Sequence, residues 1–317
     1  MTALVSPDNF ARAESDRYFA GIVDDGGFGK FFHIREMAPI EHQIVIRQNR
    51  DTLYSAAVFD LDAGPVTIAL PDSAGRFMSL QIISEDHYTT NVAYAPAEVT
   101  FSRDSVDTRY AVAAVRILAD PADAADLAAV HALQDAIAVA QHDPGFFEVP
   151  QWDPVSQKTV RDALITLSTT LPDTKAMFGP EYEVDPVRHL IGSAFAWGGN
   201  PERDALYLTV VPERNDGATV HRLTVKDVPV DGFWSVTVYN QDGYFTPNPR
   251  NAYSVNNITA VKDPDGSTTV QFGGSAEGAG AANLLPVTDG WNYLVRLYRP
   301  RPEILDGSWV FPEAQLV

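Results

Sequence analysis

Met78, Leu80 and Ile82 alternate with Ser79 and Gln81, the two-residue period of a strand with one apolar face. The surrounding pattern predicts strands over residues 52–61, 65–71 and 77–83, with Asp72-Ser73-Ala74-Gly75 as the turn of an antiparallel meander. Ahead of this β region, which opens near Ile44, Ser6-Pro7-Asp8 reads as a helix start. That helix runs to about Val23 and stops at Asp24-Asp25-Gly26-Gly27. From Asp120 to Leu171 the apolar period lengthens. Leu127, Val130, Leu133 and Ile137 follow Asp120-Pro121, and Val160, Leu164 and Leu167 follow Asp153-Pro154, as packing faces of two helices. A connector punctuated by Trp197-Gly198-Gly199-Asn200-Pro201 leads to a second β region from Ala205. There Trp234, Val236 and Val238 oppose Ser235, Thr237 and Tyr239, turns fall at residues 240–243 and 263–267, and strands at 268–272 and 293–299 follow. Strands, then helices, then strands predict a mainly β chain with a helical insertion. We expect two antiparallel β-sandwich, jelly-roll-like modules joined by helices, divided as residues 1–118, 119–200 and 201–317.

Composition narrows the partners. With 23 basic and 42 acidic residues the formal charge is −19, which repels phosphate backbones and anionic lipid, so no nucleic acid and no membrane insertion are expected. A hydrophobic fraction of 45% and a charged fraction of 21% are globular values. The chain has no cysteine, which removes disulfides, thiolate metal sites and a cysteine nucleophile. Its first residues lack a basic stretch followed by a long apolar core, so a cytoplasmic location is the expectation.

Two sets of motifs resemble known families. Asn49-Arg50-Asp51-Thr52-Leu53-Tyr54-Ser55, Gly75-Arg76-Phe77 and Asp86-His87-Tyr88-Thr89-Thr90-Asn91 resemble the bacterial domain of unknown function numbered 1254. Ala196-Trp197-Gly198-Gly199, the run from Phe233-Trp234-Ser235 to Asn240, Asp265-Gly266-Ser267 and Leu297-Tyr298-Arg299-Pro300 resemble the domain numbered 1214, which travels with it. Leu284 departs from the second pattern, which has tryptophan before Leu-Pro. The resemblance implies linked β-sandwiches and lends no activity.

Candidate chemistry therefore comes from the residues. Asp51, beside Asn49 and close to Tyr54 at a strand mouth, is a candidate general base if burial raises its pKa; the competing reading has it pin the strand entry. His87, between Glu85-Asp86 and Tyr88 where a strand leaves the sheet, is a candidate proton shuttle, against a satisfied core histidine. Arg296 shares an otherwise apolar strand face with Leu294 and Tyr298, so it needs a carboxylate, internal or a ligand's. Trp234 and Tyr239, with Asn240, Trp291 and Asn292, are candidates for a sugar-binding floor, against core plugs. No nucleophile elbow, phosphate loop or complete dinucleotide loop occurs. The seven histidines lack metal-binding spacing, so neither cofactor nor metal is expected. Asp263-Pro264-Asp265-Gly266 reads as a hairpin turn and not a calcium loop.

Two functional expectations follow. One is a cofactor-independent hydrolase or lyase for a small hydroxylated or carboxylated metabolite in an interdomain cleft. Asp51, His87 and Tyr54 would carry the chemistry, and Arg296, Trp234, Tyr239 and Asn49 would hold the substrate. The other is a non-catalytic module that binds a glycan or a protein; a homo-oligomer fits either.

Overall fold

The computed structural model describes residues 2–41, 43, 46–275 and 281–317. His42, Ile44 and Gly278-Ala279-Gly280, an incomplete dinucleotide-loop pattern, lie outside them. The chain is mainly β, with antiparallel sheets and several helices. It divides into two compact units. The first comprises residues 1–35, 53–119 and 124–202, the second 36–52, 120–123 and 203–317. The helices expected as a separate 119–200 connector thus pack within the first unit, and residues 36–52 belong with the second.

The first unit contains α1 (Phe10–Asp24), β1 (Phe32–His33), β2 (Thr52–Asp60, shared at its first residue), β3 (Val66–Leu70), β4 (Met78–Ser84), β5 (Thr89–Tyr94), β6 (Ala97–Phe101) and α2 (Arg103–Val106). It continues through β7 (Tyr110–Leu118), α3 (Ala124–Asp135), β8 (Ala138–Ala140), α4 (Pro154–Ser168) and α5 (Pro186–Phe195). One sheet has the order β1-β2-β7-β4-β5 and another β6-β3-β8.

This corrects the expected meander. The turn at Asp72 joins strands of different sheets, since β3 pairs with β6 and β8 while β4 pairs with β5 and β7. Nor does β4 have one wet face: all seven of its residues are buried. Its polar Gln81 is satisfied internally, accepting from Arg116 at 2.7 Å and donating to Thr89 and to the Gly199 carbonyl at 2.9 Å each. Alternation alone cannot separate a solvated polar face from a hydrogen-bonded buried one.

Helix starts follow their caps. Asp153 accepts the Ser156 N–H at 2.7 Å and opens α4 at Pro154, as read from the sequence. Asp185-Pro186 repeats that signature and opens α5, a helix the sequence reading left inside the connector. The first helix starts three residues later than expected from Pro7. Asn9 folds back to accept the Ser6 N–H at 2.9 Å and donate to the Leu4 carbonyl at 3.1 Å, so residues 6–9 form a turn. Phe10, Ala13, Leu164, Met177 and Ile191 then pack α1, α4 and α5 into one cluster, while Phe19 seats α1 against Val58, Ile83 and Val112 of the sheet. Truncating a buried phenylalanine such as Phe19 costs about 3–5 kcal/mol, which fixes this helix firmly.

The second unit contains β9 (Ala205–Val210), β10 (His221–Val225), β11 (Trp234–Tyr239), β12 (Ser254–Asn256), β13 (Thr268–Phe272), β14 (Leu284–Leu285), β15 (Asn292–Tyr298), α6 (Pro302–Leu305) and β16 (Gln315–Leu316). Its sheets run β12-β11-β15-β9 and β14-β13-β10-β16, antiparallel except for the parallel β13–β14 pair. Asp263 N–H donates to the Ser267 carbonyl at 2.8 Å across the expected turn.

Candidate functional site

In the second unit the structure brings Asp51, Asn49, Tyr239 and Arg296 together and closes them off. Asn49 accepts the Asp51 N–H at 2.8 Å, a local turn that aims the carboxylate inward. Asp51 Oδ1 accepts from Ser254 Oγ at 2.7 Å and Asn256 Nδ2 at 3.1 Å, both on β12. Arg296, on β15, donates to Thr237 Oγ1 at 2.9 Å, to the Arg47 carbonyl at 2.8 Å and to Tyr239 Oη at 2.8 Å. Tyr239 Oη in turn donates to the Gln48 carbonyl at 2.8 Å. Arg296 Nη1 and Asp51 Oδ2 stand 4.0 Å apart, within ion-pair range and beyond a hydrogen bond.

Asp51 is 0% and Arg296 2% exposed. Burial opposes the charge on Arg296, but Tyr239 and Asp51 outweigh it and hold the guanidinium above its ordinary pKa. Burial likewise raises the Tyr239 phenol, which stays protonated. The set fastens segment 47–51 to the sheet. Asp51, Tyr239 and Arg296 are all buried.

The neighbouring aromatic set is equally closed. Trp234 packs in the core near Phe311 with ring centres 6.2 Å apart, and Trp291 is stacked on Phe272 at 5.0 Å. The crevice beside Tyr239 and Asn240 measures about 10 Å³, room for one water and not for a sugar.

His87 and Tyr54 belong to the first unit. His87 sits just after β4 with a left-handed backbone, φ 68°, and a buried ring. Its Nε2 accepts the Gly198 N–H at 2.8 Å, and Nδ1 has no hydrogen-bond partner among the described residues. Burial, then His189, hold its pKa well below the ordinary histidine value, which favours the neutral ring. Close approach of residues 197–199 needs glycine: a Cβ on Gly199 would lie 2.6 Å from the Phe178 ring. Tyr54 is half-buried beneath the Arg116 guanidinium, 5.5 Å from its ring centre. Arg116 also donates to the Gly198 carbonyl at 2.8 Å, linking Tyr54 to the same loop.

His87 is one ring of a column. Tyr88 stacks on His189 at 4.5 Å, His189 on His87 at 5.4 Å, His87 meets Trp197 at 5.5 Å, and Trp197 stacks on Tyr18 at 4.4 Å. The outer end of this column opens into a cleft of about 500 Å³ lined by α1, the β4–β5 turn, the α2–β7 turn and residues 180–189. In its wall Arg12 of α1 pairs with both oxygens of Asp86 at 2.8 and 2.6 Å, with the two side chains 38% and 41% exposed. Tyr182, 85% exposed, Glu181 and Tyr88 stand at the rim.

Behind this pair lie Asp16 and Glu85, both buried. Asp16 Oδ2 accepts from Trp152 Nε1 at 2.8 Å, and Glu85 Oε2 accepts the Tyr110 N–H at 2.9 Å. Each carboxyl acts on the other's charge. Burial pushes Asp16 up to about 7 and raises Glu85 as well, so near neutral pH the Asp16 carboxyl is about half protonated. Sequence reasoning missed Arg12, Asp16 and Glu181. Arg12 and Asp16 stand four apart on a predicted helix, and the repeated Asp-Pro cap at 185 would have placed His189. Among the described residues no group of three or more histidine, aspartate or glutamate side chains is placed to hold a metal ion, and no helix is long and apolar enough to cross a membrane.

Residues 28–105 match the model described as a protein of unknown function (DUF1254), and residues 209–302 the model described as a protein of unknown function (DUF1214). No curated protein matches the chain. Among solved structures it is similar to the VPA0106 protein from Vibrio parahaemolyticus, at 18% identity and TM-score 0.71, covering 98% of this chain and 97% of that one. It is also similar to an uncharacterized protein from Burkholderia cenocepacia, at 14% identity and TM-score 0.53, covering 98% and 86%. Both likenesses speak to the fold. The order and placement of the two matches make this chain a protein of the paired DUF1254 and DUF1214 domains.

Proposed function

We propose that the protein binds, without transforming it, a small hydroxylated cation in the cleft of its first unit. The supporting observation is the lining: Asp8, Asp86, Asp107 and Glu181 face one guanidinium, Arg12, with Tyr88 and Tyr182 alongside. Clustered carboxylates in a concave wall raise the local concentration of cations. Tyrosine faces attract an ammonium group, worth about 0.5–1 kcal/mol at an exposed site. The volume suits a small organic ligand. Asp51, Arg296 and His87 are buried, which removes the support that a hydrolase or lyase drew from them.

Choline is the probe, because its fixed charge cannot be lost, and 3,3-dimethylbutan-1-ol is its neutral isostere. Calorimetric titration should show choline binding, the neutral alcohol binding roughly tenfold or more weakly, and Asp86→Asn losing most of the choline affinity. Equal binding of the two probes, or none, overturns the reading.

The buried Asp16 carboxyl behind Asp86 favours the hydrolase or lyase as a second reading, since burial pushes it up to about 7, the range of a general acid near neutral pH. Turnover of chromogenic esters or glycosides that Glu85→Gln abolishes would promote it. We also read the two sheets of the second unit as layers of a sandwich, since Leu223, Val270 and Phe272 of one share a core cluster with Val236, Val295 and Leu297 of the other.

A further inference from the structure

Arg12 and Asp16 are four residues apart on α1, the spacing at which helical side chains meet. In the structure Arg12 nevertheless gives two of its N–H groups to Asp86, across the cleft wall. Asp16 Oδ1, buried, receives no N–H or O–H donor among the described residues. Three carboxyls, of Asp16, Glu85 and Asp86, thus adjoin one guanidinium, and the one that Arg12 serves is the one a ligand can reach.

From these contacts we infer that the cleft exchanges a proton for its ligand: a cation seated on Asp86 releases Arg12 to turn back to Asp16, and the buried Asp16 carboxyl gives up its proton. The inference rests on the cation-binding reading above and adds its regulation. The balance is one positive charge in and one proton out, with no bond made or broken beyond the O–H. Two adjoining buried carboxyls cannot both ionise without a cation beside them, and Arg12 supplies it once Asp86 has another partner.

The charged and titratable groups around the pair are few. Arg12 lies on the same helix, whose Glu14 is engaged by Arg161 and Arg17. Asp86 flanks Glu85 on the β4–β5 turn, Tyr110 faces Glu85 from β7, and Trp152 caps Asp16 ahead of α4. From α5, His189 reaches the Asp86 carbonyl at 3.0 Å. His87, adjacent in sequence, is buried and neutral.

The test is calorimetric titration of the whole chain with choline at pH 7, in phosphate and in HEPES, whose ionisation heats differ. The expected result is a buffer-dependent heat equal to about half a proton released per choline, because a group that titrates at about 7 is half protonated there. Choline affinity should rise nearly tenfold from roughly pH 5 to 6 and level off above about 8. In Asp16→Asn the heat of whatever binding remains should be independent of the buffer. If choline binds the native protein with the same heat in both buffers, the exchange is overturned and the binding reading stands. Proton release that persists in Asp16→Asn belongs to another group and also overturns it. Absence of any choline binding removes both. The two-buffer titration of the native protein decides even where the variant does not fold.

Discussion

The molecule holds two Asp–Arg pairs that differ in almost every physical respect. Asp51 and Arg296 in the second unit are 4.0 Å apart and sealed, hydrogen-bonded mainly to neutral hydroxyls, an amide and carbonyls, with Asp51 Oδ2 left without a hydrogen-bond partner among the described residues. Arg12 and Asp86 in the first unit meet through two hydrogen bonds at a cleft wall, each about two-fifths exposed. The sealed pair is bound up with folding, since removing either partner leaves the other charge buried. The open pair contributes little to stability, because water can replace either partner, and that makes it exchangeable. What separates anchor from site is solvent access, and the chemical types are identical.

The sharpest way to break this contrast is Arg296→Met. It should destabilise the protein by about 3–5 kcal/mol in urea unfolding, by stranding Asp51 in the interior. A cost under about 1 kcal/mol would show that the cluster is wet or mobile and reopen it as a site. Asp86→Asn should do the opposite, lowering choline affinity roughly tenfold or more while changing stability by less than about 1 kcal/mol.

A third prediction concerns pH. The Asp16 carboxyl titrates at about 7 in the fold and near 3.8 when unfolded, so between those values the native state binds the extra proton. Its contribution to stability is therefore greatest at low pH and is lost as pH rises through about 7. Thermal melts of Asp16→Asn against the native protein should diverge on going from pH 5 to 8, with the variant gaining relative stability at the alkaline end. Parallel curves would count against the raised Asp16 carboxyl. The smallest effect is expected for Tyr182→Ala: a few-fold loss of choline affinity, about 0.5–1 kcal/mol, with an unchanged melting temperature.

Much of the architecture was legible before the structure. Asp153-Pro154 marked α4 because a carboxylate cap and a proline first turn are local chemistry, set by residues adjacent in the chain. The same signature at Asp185 was equally readable and was passed over. Strand β4 was placed to within a residue, yet its polar residues were assigned to solvent. Whether Gln81 meets water or the Arg116 guanidinium depends on a strand 35 residues away. The candidate site divides the same way. Arg296 was read as needing a carboxylate, internal or a ligand's; Asp51 stands 4.0 Å from it, and a hydroxyl, a phenol and a carbonyl take its hydrogen bonds.

The sequence by itself determined the two-domain family, the alternation of strand and helix and the need of buried charges for partners. These rest on interactions a few residues long or on the unconditional cost of desolvation. Tertiary structure alone decided which carboxylates face water. It joined Arg12 to Asp86 across 74 residues, put Asp16 against Glu85 and left Asp51 at 0% exposure. The physical reason is that dielectric environment and proximity, which set a carboxylate's charge and reach, belong to the packing around it and are not encoded in its neighbours along the chain.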